Sequence, residues 1–248
     1  MLDALRSIRG VIRSLRIYYG DAERSRAMQR LYAAFVRPGD LVFDAGAHVG
    51  DRVRAFRRLG ARVVAVEPQP ALAKVLRLFY GRDPLIKIEA AAVGRQVGTT
   101  ELSLNVQNPT VSTASSDFIA AARNAAGWQD QRWAKRIRVP VTTLDALIAA
   151  HGTPSFIKID VEGFEAEALA GLSDAPAALS FEFTMIQRDV AQACIARCAE
   201  LGYKRFNAAL GESQKLEHVG WVGADEMRRW LDALPMQANS GDIYARLA

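Results

Sequence analysis

Two short stretches of the sequence bring acids, glycines and a lysine together at spacings that can do chemistry. The first is Phe43-Asp44-Ala45-Gly46-Ala47-His48-Val49-Gly50-Asp51, an apolar run that enters a glycine turn and then a helical pattern. Gly46 and Gly50 let a ligand approach the backbone, and the start of the following helix offers free N–H groups to an anion. The spacing Gly-x-x-x-Gly departs from the Gly-x-Gly-x-x-Gly of dinucleotide loops, which counts against a nicotinamide cofactor. Glu67 closes the next apolar run, 23 residues after Asp44. A carboxylate there can accept hydrogen bonds from both hydroxyls of a ribose, so an adenosine-type ligand without a 2′-phosphate is expected.

The second stretch is Phe156-Ile157-Lys158-Ile159-Asp160-Val161-Glu162-Gly163-Phe164-Glu165. Period two puts Lys158 and Asp160 on the same face of a strand, near its carboxyl end, where open α/β sheets expose ligand-binding residues. Glu162 and Glu165 follow in the loop or first helical turn, and Glu182 stands between Phe181 and Phe183 on a later strand. A carboxylate between phenylalanines on an interior strand is costly to bury unpaired. Two readings stay open. One is a structural ion pair between Lys158 and Glu182. The other is a site where these acids move a proton, hold substrate hydroxyls or bind a divalent cation, with Asp160 and Glu182 as the metal candidates.

Positioning such residues requires a scaffold, and its rhythm is visible. Apolar runs at 41–45, 62–66 and 85–88 alternate with helix-spaced apolar residues at 51–59 and 71–79, the pattern of βαβ units around a parallel sheet. Residues 100–106 and 136–141 alternate at period two, with a Ser-, Thr- and Asn-rich loop expected at 107–117. Thr143 then caps a short helix, and the βα rhythm resumes at 155–160, 164–171, 178–183, 189–201 and 203–207, closing with a strand at 242–247. The expected organisation is a basic helical arm (1–37) and one α/β domain (38–248), in which the insertion at 100–142 shapes the acceptor site. Within the insertion Trp128 and Trp133 interleave with Arg132, Lys135, Arg136 and Arg138. That pattern fits stacking on sugar rings, or a solvated basic face with packed tryptophans.

In the arm, helical periodicity collects Leu2, Leu5, Ile8, Val11, Ile12 and Leu15 on one face and Arg6, Arg9, Arg13 and Arg16 on another. A docked surface helix is expected, with contact of residues 1–16 to an anionic membrane as the alternative. Since the glycine turn begins after Asp44, loss of residues 1–20 is expected to spare the nucleotide site. The chain has 248 residues, 50% of them hydrophobic, enough for a sizeable core without disulfides or a structural metal. No run reaches the ~18 apolar residues of a membrane span. A net charge of +5 does not call for nucleic acid. Cys194 and Cys198, four apart in a helical pattern, read as buried thiols in a reducing, cytoplasmic compartment.

The segments FDAGAHVG, VVAVEPQP, AAVG at 91–94, VPVTTLD, FIKIDVEGFEAEALAG and GDIYA occur in order, and together they resemble the FkbM family of S-adenosylmethionine-dependent methyltransferases. The resemblance implies a Rossmann-like class I methyltransferase sheet of seven strands with the last antiparallel, helices on both faces, and O-methylation of a hydroxyl on a sugar, glycan or related natural product. It implies that Asp44, Gly46, Ala47, His48 and Gly50 lie along the methionine part of S-adenosylmethionine, that Glu67 holds the ribose, and that Pro68, Ala91 and Ala92 flank the adenine. Asp160 then also borders the cofactor and leads the catalytic candidates, with Glu182, Glu162 and Lys158 beside it. Ser112, Thr113 and Ser115 resemble the family's Ser-Thr segment and read as a lid. Against this stand a methyltransferase-like binding module without turnover and, further off, an NAD-dependent oxidoreductase.

Overall fold

The structure is a computed structural model that describes residues 2–247, with side chains from Arg9 onward. The chain opens with α1 (Leu2–Tyr19) and α2 (Ala22–Tyr32), followed by β1 (Leu41–Ala45), α3 (Asp51–Arg58), β2 (Arg62–Val66), α4 (Pro70–Tyr80) and β3 (Ile86–Glu89). The middle holds β4 (Ala92–Val93), β5 (Gly98–Leu104), a 3₁₀ turn (Pro109–Val111), α5 (Ser116–Arg123), β6 (Lys135–Thr142) and α6 (Leu144–His151). The remainder runs β7 (Phe156–Ile159), α7 (Glu165–Ala170), β8 (Ala178–Thr184), α8 (Arg188–Glu200), β9 (Arg205–Leu210), α9 (Ala224–Ala233) and β10 (Ser240–Arg246).

Seven strands form one sheet in the order β3-β2-β1-β7-β8-β10-β9, with β10 antiparallel to both β8 and β9. This is the class I methyltransferase arrangement. The central strands β1 and β7 are buried at every position, as parallel strands covered on both faces must be. One face packs Phe43, Val64, Ile157, Leu179 and Phe181 against α6, α7, α8 and α9. The other packs Val42, Val63, Ala65 and Phe156 against Met28 and Leu31 of α2 and Val53 and Phe56 of α3. Cys194 and Cys198 are buried free thiols on the inward stripe of α8. A second sheet, β4-β6-β5, carries the insertion.

Several local readings need correction. The 107–117 segment is not wholly loop, because Ser115 accepts a hydrogen bond from Phe118 N and starts α5. Only Phe118, Ile119 and Ala122 of that eight-residue helix are buried, too few for its period to show in the sequence. For the same reason α9, which buries Met227 and Leu231 alone, is absent from the pattern reading. In α1 the docked stripe holds Gly10 and Ser14 with Val11, Leu15 and Tyr18, while Ile12 is exposed. The helix sits close because Gly10 has no side chain: a Cβ there would meet the Val106 carbonyl oxygen at 2.7 Å. The side chains of Leu2, Leu5, Arg6 and Ile8 lie outside the described residues. No helix among the described residues is long and apolar enough to cross a membrane.

Candidate active site

The parallel order places β2 on one side of β1 and β7 on the other, so the crossovers diverge and leave a crevice at the strands' carboxyl ends. A cavity opens there. Its wall includes Gly46, His48, Glu67, Pro68, Ala91, Ala92, Asp160, Glu162 and Glu182. Residues from Gly46 to Glu182 are thus gathered by the ends of β1, β2, β3, β7 and β8 and their loops.

The glycine turn is held tightly. Gly46 adopts φ +89°, and a Cβ on it would collide with the Asp160 carbonyl, so this loop passes directly over the end of β7. The N–H groups of Gly46 and Ala47 both donate to Val66 O, at 2.9 and 3.0 Å, and are therefore spent inside the fold. Glu67 faces the cavity from the end of β2. Its Oε2 accepts from His48 N at 2.9 Å and its Oε1 from Gln69 N at 2.7 Å, leaving lone pairs free on each oxygen. Burial pushes its carboxyl up to about 8, although the two N–H donors oppose the shift. Burial lowers His48 to about 4, so its imidazole is neutral at pH 7; its Nε2 lies 3.3 Å from Ser14 Oγ.

Asp44, Ala47, Gly50 and Lys158 are not part of the cavity wall. Asp44 is fully buried, and neither carboxylate oxygen has a hydrogen-bond partner among the described residues. Burial pushes it up to about 7 against the opposing pull of Arg52. Lys158 is also fully buried, and it does not pair with Glu182. Its Nζ lies 2.7 Å from Asp242 Oδ1 and 3.3 Å from Asp160 Oδ2. The reason is strand order: β10 inserts beside β8, which brings Asp242 opposite Glu182 and within reach of the lysine. Of the two sequence readings, the structural ion pair of Lys158 is therefore present, but with Asp242 and Asp160 instead of Glu182.

The three acids at the floor of the cavity differ in charge preference. Burial would raise Asp160, but Lys158 and Arg52 outweigh it and hold the carboxyl below its ordinary range. Glu162 and Glu182 are pushed well above theirs by burial and then by the Asp160 charge. One oxygen from each of Asp160, Glu162 and Glu182 can be chosen so that all lie within 4.8 Å of one another.

Sequence reasoning missed an entire wall. Tyr18, Asp51, Arg52, Gln69 and Glu212 also line the cavity. Tyr18 comes from the arm, with its ring edge-on to His48 at 5.2 Å and the Arg24 guanidinium 4.8 Å from its centroid. Arg24 bridges Asp51 and Glu212, each at 3.0 Å, and Arg52 contacts the same two acids at 3.2 and 3.4 Å. Tyr19 anchors α1 by donating to Val49 O at 2.9 Å, beside Tyr80, which donates to Gly50 O. The only available signal was the Tyr18-Tyr19 pair ending the amphipathic stretch.

The tryptophans of the insertion do not form a stacking surface on the cavity. Trp128 and Trp133 pack edge-on against Phe118 at 5.3 and 6.2 Å, and the Trp133 indole donates to Val111 O; neither lines the cavity. Thr110, Ser112 and Ala114 do line it. Thr113 is not free to act as a lid residue: its Oγ1 donates to Glu162 O at 2.6 Å, and its backbone exchanges two hydrogen bonds with Ser103.

The family model described as the methyltransferase FkbM domain matches residues 44–235. No curated protein matches the chain. Among solved structures, a TehB-like SAM-dependent methyltransferase from Corynebacterium glutamicum is 12% identical, with 94% of this chain and 92% of that one covered and a TM-score of 0.48. Aeropyrum pernix fibrillarin in complex with S-adenosyl-L-methionine is 9% identical, with 85% and 68% covered and a TM-score of 0.44. A SAM-dependent O-methyltransferase from Thermotoga maritima is 11% identical, with 91% and 64% covered and a TM-score of 0.41.

Proposed function

The chain belongs to the FkbM family of S-adenosylmethionine-dependent methyltransferases, and we propose that its acceptor is a hydroxyl of a sugar, a glycan or a related polyhydroxylated natural product. The observation that carries this reading is the convergence of Asp160, Glu162 and Glu182 on one cavity with Glu67. Several carboxylates within a few ångströms can accept several O–H donors at once, which suits a polyol better than an amine or an aromatic carbon.

The residues present fit the methyl donor. Glu67 keeps unused lone pairs on the cavity wall for the ribose hydroxyls, Pro68, Ala91 and Ala92 offer a small apolar surface for the adenine, and Gly46 and His48 border the amino-acid part. When bound, S-adenosylmethionine supplies an electrophilic methyl carbon on a sulfonium. The chain's first contribution is to hold the acceptor oxygen in line with that carbon, and such positioning lowers a barrier by several kcal/mol. Asp160, kept anionic by Lys158 and Arg52, is a hydrogen-bond acceptor that orients the hydroxyl but a weak base. Glu182, with its raised proton affinity, is the better group to take the hydroxyl proton once ionised.

The test is transfer of a carbon-13-labelled methyl group to a set of polyhydroxylated acceptors, with the product assigned by NMR. Label on an ether oxygen supports the reading. Label on nitrogen, sulfur or carbon contradicts it, and binding of the donor without transfer to any acceptor returns the chain to a non-catalytic module.

A further inference from the structure

The helices α1 and α4 lie side by side. Val11 lines one groove together with Pro70, Ala71 and Leu72 at the start of α4. At the other end the Tyr19 hydroxyl lies 2.7 Å from that of Tyr80, and the Tyr19 ring packs edge-on against Phe79 at 6.0 Å. The two helices therefore run in the same direction, and their outer faces form one surface. On α1 the inward stripe is Gly10, Val11, Ser14, Leu15 and Tyr18, which leaves Arg9, Ile12, Arg13, Arg16 and Ile17 exposed. On α4 Leu72, Ala73 and Leu76 are buried, while Lys74, Arg77, Leu78 and Phe79 are exposed, with Arg82 and Leu85 exposed just after the helix.

Two properties of this surface point to its partner. It is apolar: of the eight large hydrophobic side chains exposed among the described residues, five are Ile12, Ile17, Leu78, Phe79 and Leu85, and Leu78 is 80% exposed. A single exposed leucine is ordinary, but five such side chains on two adjacent helices and the turn that follows are a cluster. The surface is also basic. Arg9, Arg13, Arg16, Lys74, Arg77 and Arg82 lie on it, whereas residues 9–20 and 70–82 hold no Asp or Glu. Asp83, the acid that follows, is held by Arg57 at 2.9 Å. Cations that sit among anionic headgroups, around apolar side chains that enter the acyl boundary, are the chemistry of helices lying on an anionic bilayer. A nucleic-acid backbone would use the cations and leave Ile12, Leu78 and Phe79 in water.

We propose that the outer faces of α1 and α4 dock the chain on an anionic lipid surface, with both helices lying in its plane. Docking on the domain and contact with lipid, alternatives in the sequence reading, use opposite faces of α1 and do not exclude each other. The surface does not depend on the methyl-donor site, so its test is separate from that of the acceptor.

The experiment is co-sedimentation of the full chain with vesicles of phosphatidylcholine alone and of phosphatidylcholine and phosphatidylserine in equal parts. Binding to the mixed vesicles only is expected, weakening as added salt screens the attraction. Arg13→Gln combined with Arg16→Gln should weaken it by about tenfold or more, and Leu78→Asp by about fivefold or more. The melting temperature should stay near the parent's in both variants, since all three side chains are exposed and none lines the cavity. No binding of the folded parent to the mixed vesicles overturns the proposal, as does equal binding to the neutral vesicles or binding unchanged in either variant. Retention of an RNA duplex without uptake by the vesicles assigns the surface to nucleic acid and overturns it as well.

Discussion

Lys158 bridges two acids, and its removal and theirs have different consequences. Lys158→Met strands Asp160 and Asp242 in the core, so a loss of about 3–5 kcal/mol in stability is expected. Asp160→Asn leaves the lysine with Asp242 at 2.7 Å, so the melting temperature should move little while turnover falls about 100-fold. Melting curves and turnover on the same samples separate the two roles. Lost stability with normal turnover in the folded fraction of Asp160→Asn would reduce that residue to a structural partner. Glu182 makes a different prediction. Its carboxyl is held well above the ordinary range, so turnover should climb with pH as it ionises, and Glu182→Gln should remove that rising limb from the profile. A parent whose rate is flat with pH, or a variant that keeps the limb, assigns the proton elsewhere.

At the level of elements, α1 is part of the cavity wall. Because Tyr18 lines the cavity and Tyr19 holds the loop before α3, deleting residues 1–20 should weaken S-adenosylhomocysteine binding by about tenfold or more, and Tyr18→Ala, which keeps the anchor, by a smaller factor. Calorimetry on samples with native circular dichroism checks this; unchanged affinity in the deletion would restore the accessory arm expected from sequence. The sequence pattern revealed the sheet because β1, β2, β7 and β8 are short, predominantly apolar runs, interrupted only by Asp44, Arg62, Lys158, Ser180, Glu182 and Thr184. It located Glu67, Asp160 and Glu182 because strand ends are where such a sheet exposes acids. It did not reveal Asp242 or Glu212, whose partners depend on strand order and loop closure, nor Tyr18, whose place depends on Gly10 letting a helix settle on Val106.

Across the whole molecule, several buried acids set an unusual pH dependence. Asp44 is raised to about 7, Glu165 to about 7 and Glu67 to about 8, so in each the folded state holds its proton more tightly than the unfolded chain does. Their contribution is fully present below about pH 4 and is lost as pH rises through about 7 to 8. The ligand-free protein should accordingly lose melting temperature between pH 6 and pH 8, within that window, and Asp44→Asn should remove its share of the slope. A melting temperature that rises over this interval contradicts the assignment. If the cavity at the ends of β1, β2 and β7 holds the methyl donor through Glu67, calorimetric titration of S-adenosylhomocysteine into the parent and Glu67→Ala will show it. One site per chain is expected, weakened by about 1–3 kcal/mol in the variant. Equal affinity in a variant that melts like the parent, or no binding by the parent at all, would contradict it.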